Sequence, residues 1–115
     1  KTDAERAAVA SHVASLPRVL SPAVVHAGDP TAAQALYVTC STCHGMKGEG
    51  NEAVKAPPLA GMDDWYIAAQ ITKYKEGVRG SAQGDAFGTV MRTIVAPLTP
   101  ELANQMAAYV HSLPR

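Results

Sequence analysis

Apolar positions recur at intervals of three and four, the period of a helix with one buried face, in four stretches of the chain. Val9, Val13 and Leu16 form one such set, and Met106, Val110 and Leu113 form another near the C-terminus. Between them, Ala33, Leu36 and Tyr37 lie in a stretch that opens with Asp29 as N-cap and Pro30 at the first helical position. That helix is expected to run to His44, where Gly45 lets the chain turn off. Ile67, Ile71 and Tyr74 share one face of a helix expected from about Asp64 to Glu76, with Asp63 as cap and Gly77 as stop. Thr99 and Pro100 open the last helix, which ends at Pro114. Residues 45–56, with Gly48 and Gly50, read as a loop whose charges Lys47, Glu49, Glu52 and Lys55 are solvated. Residues 77–90, with Gly77, Gly80, Gly84 and Gly88, read as irregular, and Met91 follows directly. No stretch alternates with a strand period long enough to matter, so the chain reads as all-α with long loops.

The two terminal helical stretches resemble each other. Thr2, Ala10, Val13, Ser15, Leu16, Pro17 and Arg18 recur as Thr99, Ala107, Val110, Ser112, Leu113, Pro114 and Arg115, seven identities in eighteen aligned positions. Two alanine-rich amphipathic helices can match by coincidence; the sharper reading is an internal repeat. Residues 1–18 are then expected to be the closing helix of a preceding, similar domain. Residues 19–28, with Pro22 and Gly28, are the linker, and residues 29–115 the domain proper.

The densest chemistry lies at Cys40-Ser41-Thr42-Cys43-His44, followed by Gly45. Two thiols three positions apart on one helical turn can form thioethers to the two vinyl groups of one porphyrin. The histidine directly after the second thiol is carried under the ring, where its imidazole can bind iron. A bare C-x-x-C also serves as a redox disulfide or as half of a zinc site. The chain holds no other cysteine and no closely spaced pair of histidines to complete a zinc site. A thioredoxin-type motif would want a preceding strand and a βαβ pattern, and neither is visible. The expected cofactor is one haem c, attached covalently through Cys40 and Cys43. Loops of the length seen here are unusual in a small domain, and wrapping a large cofactor accounts for them.

Composition agrees. With 115 residues the chain is one domain, or one domain plus a fragment, and it carries only one Trp, one Phe and four Tyr. A haem would supply the apolar bulk that so small a core lacks. Ten Lys plus Arg balance ten Asp plus Glu, which argues against a nucleic-acid partner. No run approaches the ~18 apolar residues of a membrane span. Any membrane tether of the native protein is therefore expected outside this stretch. Haem is joined to such motifs outside the cytoplasm, so a periplasmic or otherwise extracytoplasmic location is expected, with a presequence or preceding domain removed.

A proximal histidine leaves the sixth iron position to be filled or left open. Met46 is two residues after His44 and cannot reach the opposite face. Met106 is in register with Val110 and Leu113 and reads as core. Met62 follows Gly61 at the start of a helix, His12 and His111 sit on the terminal helices with solvent or packing roles, and His26 lies in the linker. Met91, 47 residues beyond His44 at the end of the glycine-rich loop, is the expected sixth ligand. The metal ligands are then His44 and Met91. A thioether favours ferrous iron and raises the reduction potential relative to bis-histidine ligation.

Residues 29–115 resemble a class I cytochrome c domain. The likeness rests on Cys40-Ser41-Thr42-Cys43-His44-Gly45, Pro57-x-Leu59-x-Gly61, the following helix, the loop ending in Met91, and a C-terminal helix with Tyr109. It is similar in particular to one domain of bacterial diheme cytochromes c, through Pro57 to Gly61, Tyr66, Gln70 and Tyr74 to Arg79, and to cytochrome c domains fused to terminal oxidase subunits. The resemblance implies a cytochrome c fold of three to five helices and long loops around one haem. It implies that the Pro57 carbonyl receives the Nδ1–H of His44, that Leu59 lines the haem pocket, and that the propionates are met from among Trp65, Tyr66 and Arg79. It also implies close approach of the first and last helices of the domain at Ala32, Ala33 and Ala35 against Ala107 and Ala108.

The expected function is single-electron transfer between protein redox partners in a respiratory chain, by an electron carrier and not an enzyme. The partners would be an oxidase, a reductase or another cytochrome domain. Lys47, Lys55, Lys73, Lys75 and Arg79 are the basic residues expected to ring a docking face. Two rivals stand beside this reading: a cytochrome c domain of a larger oxidase or reductase complex, and a haem-based gas or redox sensor whose methionine dissociates.

Overall fold

The computed structural model describes residues 1–115, which form five α-helices and no strand. They are α1 (Asp3–Ser15), α2 (Thr31–His44), α3 (Asp64–Lys75), α4 (Ala86–Val95) and α5 (Pro100–Ser112). A single 3-10 turn, Glu52–Val54, lies between α2 and α3. None of the helices is long and apolar enough to cross a membrane.

The core sits where α5 packs across α2 and α3, while α4 rests on α3. Ala33 and Tyr37 of α2, Ile67 and Ile71 of α3, Val95 of α4, and Ala103, Met106, Ala107 and Val110 of α5 are buried together. Ala33 and Ala107 are fully buried, which permits close approach of two helix backbones. Ala32 and Ala35 are exposed instead and Ala108 is half-buried, so of the five alanines only Ala33 and Ala107 are fully buried. Tyr37 and Tyr109 close the same seam, with ring centroids 5.3 Å apart and planes tilted by 54°.

α1 stands apart, since none of its residues is buried. The radius of gyration, 15.4 Å, exceeds the ~13 Å typical of a compact chain this long. Yet α1 and α5 are built alike, to the caps. Thr2 accepts from Glu5 N at 3.1 Å and Thr99 from Leu102 N at 3.2 Å. The Leu16 amide returns to Val13 O and the Leu113 amide to Val110 O, both at 3.2 Å. The hydroxyls of Ser15 and Ser112 each donate to the carbonyl three residues back at 2.6 Å. Met106, Ala107 and Val110 are buried in α5; their counterparts Val9, Ala10 and Val13 are exposed in α1.

Three local expectations are corrected. Residues 77–90 are not irregular throughout, because α4 begins at Ala86, capped by Asp85, whose carboxylate accepts from Gly88 N at 2.8 Å. Met91 therefore lies within a helix and not at a loop end. The N-cap of α2 is Pro30; Asp29 lies one residue outside and accepts from the Thr31 amide and hydroxyl at 3.0 and 2.6 Å. Asp63 makes no capping bond for α3, where the neighbouring Asp64 is the carboxylate turned inward.

Candidate haem site

The last turn of α2 carries Cys40, Cys43 and His44. Both cysteines are half-buried and unpaired, and their spacing sets them on one helical face. Burial pushes the Cys40 thiol above its ordinary pKa, keeping it neutral. His44 is 6% exposed. Its Nδ1 lies 2.8 Å from the Pro57 carbonyl oxygen, so Nδ1 carries the proton and donates it there. Nε2 has no hydrogen-bond partner in the protein and keeps its lone pair.

The loop after α2 is folded tightly enough to bring Pro57 back to His44. Gly45 has φ +86°, outside the range a side chain favours, and its carbonyl accepts from the Tyr37 hydroxyl at 2.8 Å. Gly50 N donates to the carbonyl of His44 itself at 2.7 Å. Asn51 and Ala56 exchange both backbone hydrogen bonds, at 2.8 and 3.0 Å. Leu59 and Ala60 then both donate to Gly48 O, at 2.8 and 3.1 Å. The loop's backbone is thus paired with itself and with the end of α2, which fixes the acceptor facing His44.

Cys40, Leu59 and Met91 are each half-buried against the domain's hydrophobic core. α4 presents apolar residues at helical spacing, of which Val95 is buried while Phe87, Val90 and Ile94 are 47%, 52% and 38% exposed. So amphipathic a helix with most of its apolar residues unpartnered fits a large apolar group bound beside it. The thiol pair, the free Nε2 and this apolar helix together suit haem.

Tyr66 and Arg79 are placed differently. Tyr66 is 38% exposed and meets Trp65 edge-on, ring centroids 6.0 Å apart. Arg79 donates to Gln70 Oε1 at 2.8 Å and lies 4.6 Å from the Tyr74 ring centroid. Among the expected docking cations, Lys75 is engaged by the Ala96 and Leu98 carbonyls past the end of α4. His12 and His26 are exposed, whereas His111 is buried, its Nδ1 2.8 Å from Met62 O.

Reading the sequence alone overlooked α4 and the inward carboxylate of Asp64. For α4 a signal existed, namely Asp85 as cap and Phe87, Val90, Met91, Ile94 and Val95 at helical spacing. Gly84 and Gly88 obscured it.

The cytochrome c family model matches residues 30–114. The chain belongs to the cytochrome c family. Its haem c is held covalently by Cys40 and Cys43, at the family's attachment spacing. This cytochrome c is 34% identical over 74 residues to cytochrome c4 of Azotobacter vinelandii, covering 64% of this chain and 34% of that one. It is 33% identical over 93 residues to a thiosulfate dehydrogenase electron acceptor of Thiomonas intermedia, covering 81% and 37%. A third relative is the cbb3-type cytochrome c oxidase subunit FixP of Sinorhizobium medicae, 33% identical over 85 residues, covering 70% and 28%. The chain spans about a third of the length of these curated relatives. The crystal structure of reduced cytochrome c4 from Pseudomonas stutzeri superposes with a TM-score of 0.63 at 25% identity, over 92% of this chain and 58% of that one. The fold is the all-α cytochrome c fold, and the family is one of electron-transfer proteins.

Proposed function

We propose that this cytochrome c passes single electrons between protein redox partners of a respiratory chain outside the cytoplasm, with its iron ligated by His44 and Met91. The observation that carries the reading is the hydrogen bond from His44 Nδ1 to the Pro57 carbonyl. It selects the tautomer whose Nε2 is free, orients the ring, and raises the basicity of the ligating nitrogen. When bound, the haem supplies a one-electron ferric–ferrous couple, and the protein's part is to hold ligands and exclude water. Leu59 and the apolar residues of α4 serve that exclusion, which favours ferrous iron by removing solvent from around the charge. Met91, half-buried among them, supplies the soft thioether. Tyr66 and Arg79 are the residues that would meet the propionates, for which the Arg79 guanidinium would supply charge-assisted hydrogen bonds.

Substituting Met91 tests the ligation. The ferric wild type should show the weak long-wavelength charge-transfer band of an iron–thioether bond. Met91→Ala should lose it, lower the reduction potential, and bind carbon monoxide in the ferrous state. A wild type that already binds carbon monoxide readily at neutral pH would favour the sensor reading and sink the sealed carrier.

A second reading concerns the larger protein. Residues 1–18 would be the closing helix of a preceding domain of the same kind, residues 19–28 the linker, and residues 29–115 the second domain. The matched caps of α1 and α5, with one apolar face buried and the other exposed, support it. This domain would then be one carrier within a multi-haem protein or an oxidase or reductase complex. An intact mass of the native protein, counting haems, tests it; a single haem would rule it out.

A further inference from the structure

Chain preceding α2 is bound to the haem domain at a specific point. The amides of Val24 and Val25 both donate to Oδ2 of Asp64, each at 2.8 Å. Oδ1 of the same carboxylate accepts from Trp65 N at 2.8 Å. The Asp64 side chain is completely buried, in the first turn of α3. A carboxylate so placed is costly unless donors surround it. Here two of its three donors come from 39 and 40 residues away in sequence. Asp64 does not act as a helix cap; it captures a separate segment.

A second contact lies a few residues upstream. Gly61 has φ +71°, and Leu20 Cδ1 would be 3.2 Å from any Cβ built there, with the side chain of Arg115 alongside at 3.5 Å. Leu20 therefore rests on backbone that a side chain would cover. Ser21, Val25 and Ala27 are half-buried along the same stretch. Beside Asp64, the buried His111 is tied by Nδ1 to Met62 O, which joins the end of α5 to the start of α3. The strap thus crosses the end of the domain where α3 begins and α5 finishes.

The family match begins at residue 30, whereas the cytochrome c4 structure superposes over 92% of the chain, more than residues 30–115 could supply. Part of the segment before residue 30 is therefore included in the match to a second protein. A free linker of this length would instead let α1 wander over ~20 Å, the span of a flexible chain of a dozen residues.

We propose that Asp64 is a positioning residue that clamps residues 20–25 onto the haem domain as a strap, holding α1, and any domain it closes, at a fixed orientation to the haem. Electron transfer weakens steeply with the separation of redox centres, so a fixed strap would fix the rate between this haem and a neighbour. That consequence rests on the carrier reading; the clamp does not, and it can be measured by itself.

The experiment is NMR on the ferric holoprotein, whose paramagnetic iron shifts nearby amide resonances according to their position. In the wild type, residues 3–15 should show distinct pseudocontact shifts, and the Val24 and Val25 amides should exchange with solvent at least ~10-fold more slowly than the exposed Val19 amide. In Asp64→Ala that protection should vanish and the shifts of residues 3–15 should average towards zero, while those of residues 100–112 stay put. If Asp64 merely stabilises α3, the melting temperature will fall with the α1 shifts unchanged, which would overturn the proposal. Averaged α1 shifts in the wild type would overturn it as well. Should Asp64→Ala not fold, the double variant Val24→Pro with Val25→Pro removes both donors and leaves the carboxylate in place. Averaged α1 shifts in that variant would support the clamp, and unchanged ones would refute it.

Discussion

Nδ1 of His44 and the carbonyl oxygen of Pro57, thirteen positions apart in the chain, lie 2.8 Å from each other, and the loop between them is held closed at Gly50. Gly50 has φ +82°, and a Cβ there would meet the Pro58 nitrogen at 2.6 Å and the Ala56 carbonyl oxygen at 2.9 Å. Both are backbone atoms and cannot swing aside.

Gly50→Ala should therefore destabilise the holoprotein by about 1–3 kcal/mol, from the forbidden φ and the clash together. The reduction potential should shift with it, because the His44 acceptor moves. Chemical denaturation and potentiometry on the same samples check both, and a shift in one alone would separate loop strength from imidazole orientation.

Tyr37 should report on the turn after His44. Its hydroxyl donates to Gly45 O, and burial is the main cause that pushes its pKa up from 10.0 to about 12, with the charges of Cys40, Glu49 and Tyr109 adding. A raised folded pKa means that the stabilisation is complete below pH 10.0 and is lost as pH rises through about 12. In the holoprotein the Cys40 contribution disappears with its thiol, so ionisation should begin somewhat earlier. Tyr37→Phe should cost about 1 kcal/mol at neutral pH and remove the most alkaline step from an ultraviolet titration.

The repeated helices allow a matched comparison. Val110 is fully buried and Val13 is 59% exposed, at equivalent positions of two helices with matching lengths and caps. Val110→Ala should cost about 2 kcal/mol through lost burial and a residual cavity. Val13→Ala should change the stability of this chain by less than about 0.5 kcal/mol. Thermal denaturation of the two variants measures the difference; a large effect at Val13 would mean that α1 is already packed on a partner in solution.

Acid should weaken the strap. Burial raises the Asp64 pKa, but hydrogen bonds from Val25, Val24 and Trp65, with His111 adding, hold it below the ordinary 3.8 on balance. A depressed folded pKa contributes stability that is present above the unfolded value and is lost as pH falls through the folded one. Asp64→Asn should thus be less stable than wild type by about 1–3 kcal/mol at neutral pH. The gap should hold down to about pH 5 and close below the ordinary carboxylate range. Melting curves across that range check the sign, and a gap that widened in acid would contradict it.

Much of this molecule was legible along the chain because the relevant chemistry is local. The spacing of Cys40, Cys43 and His44 places all three on one turn, and a covalent cofactor needs nothing more distant to be recognised. Thr99 with Pro100 marks the start of α5, and Met106 and Val110 mark its buried face, since helical geometry relates residues only three or four apart. By the same local logic α4 could have been read from Asp85 and its apolar positions, had its glycines not suggested a loop. The family resemblance named the Pro57 carbonyl as the partner of His44, whereas the tertiary structure alone decided how the chain brings it there, and that Asp64 faces inward while Asp63 does not. It likewise decided that His111 is buried against Met62 O. Each of these pairs a side chain with a backbone group, 13, 39, 40 or 49 residues away. Every residue offers the same backbone groups, so no residue type advertises such a partner, and only the folded path of the chain selects it. The sequence by itself therefore determined that a haem is attached at Cys40 and Cys43, and the fold determined how its histidine is held and where the preceding helix is tied.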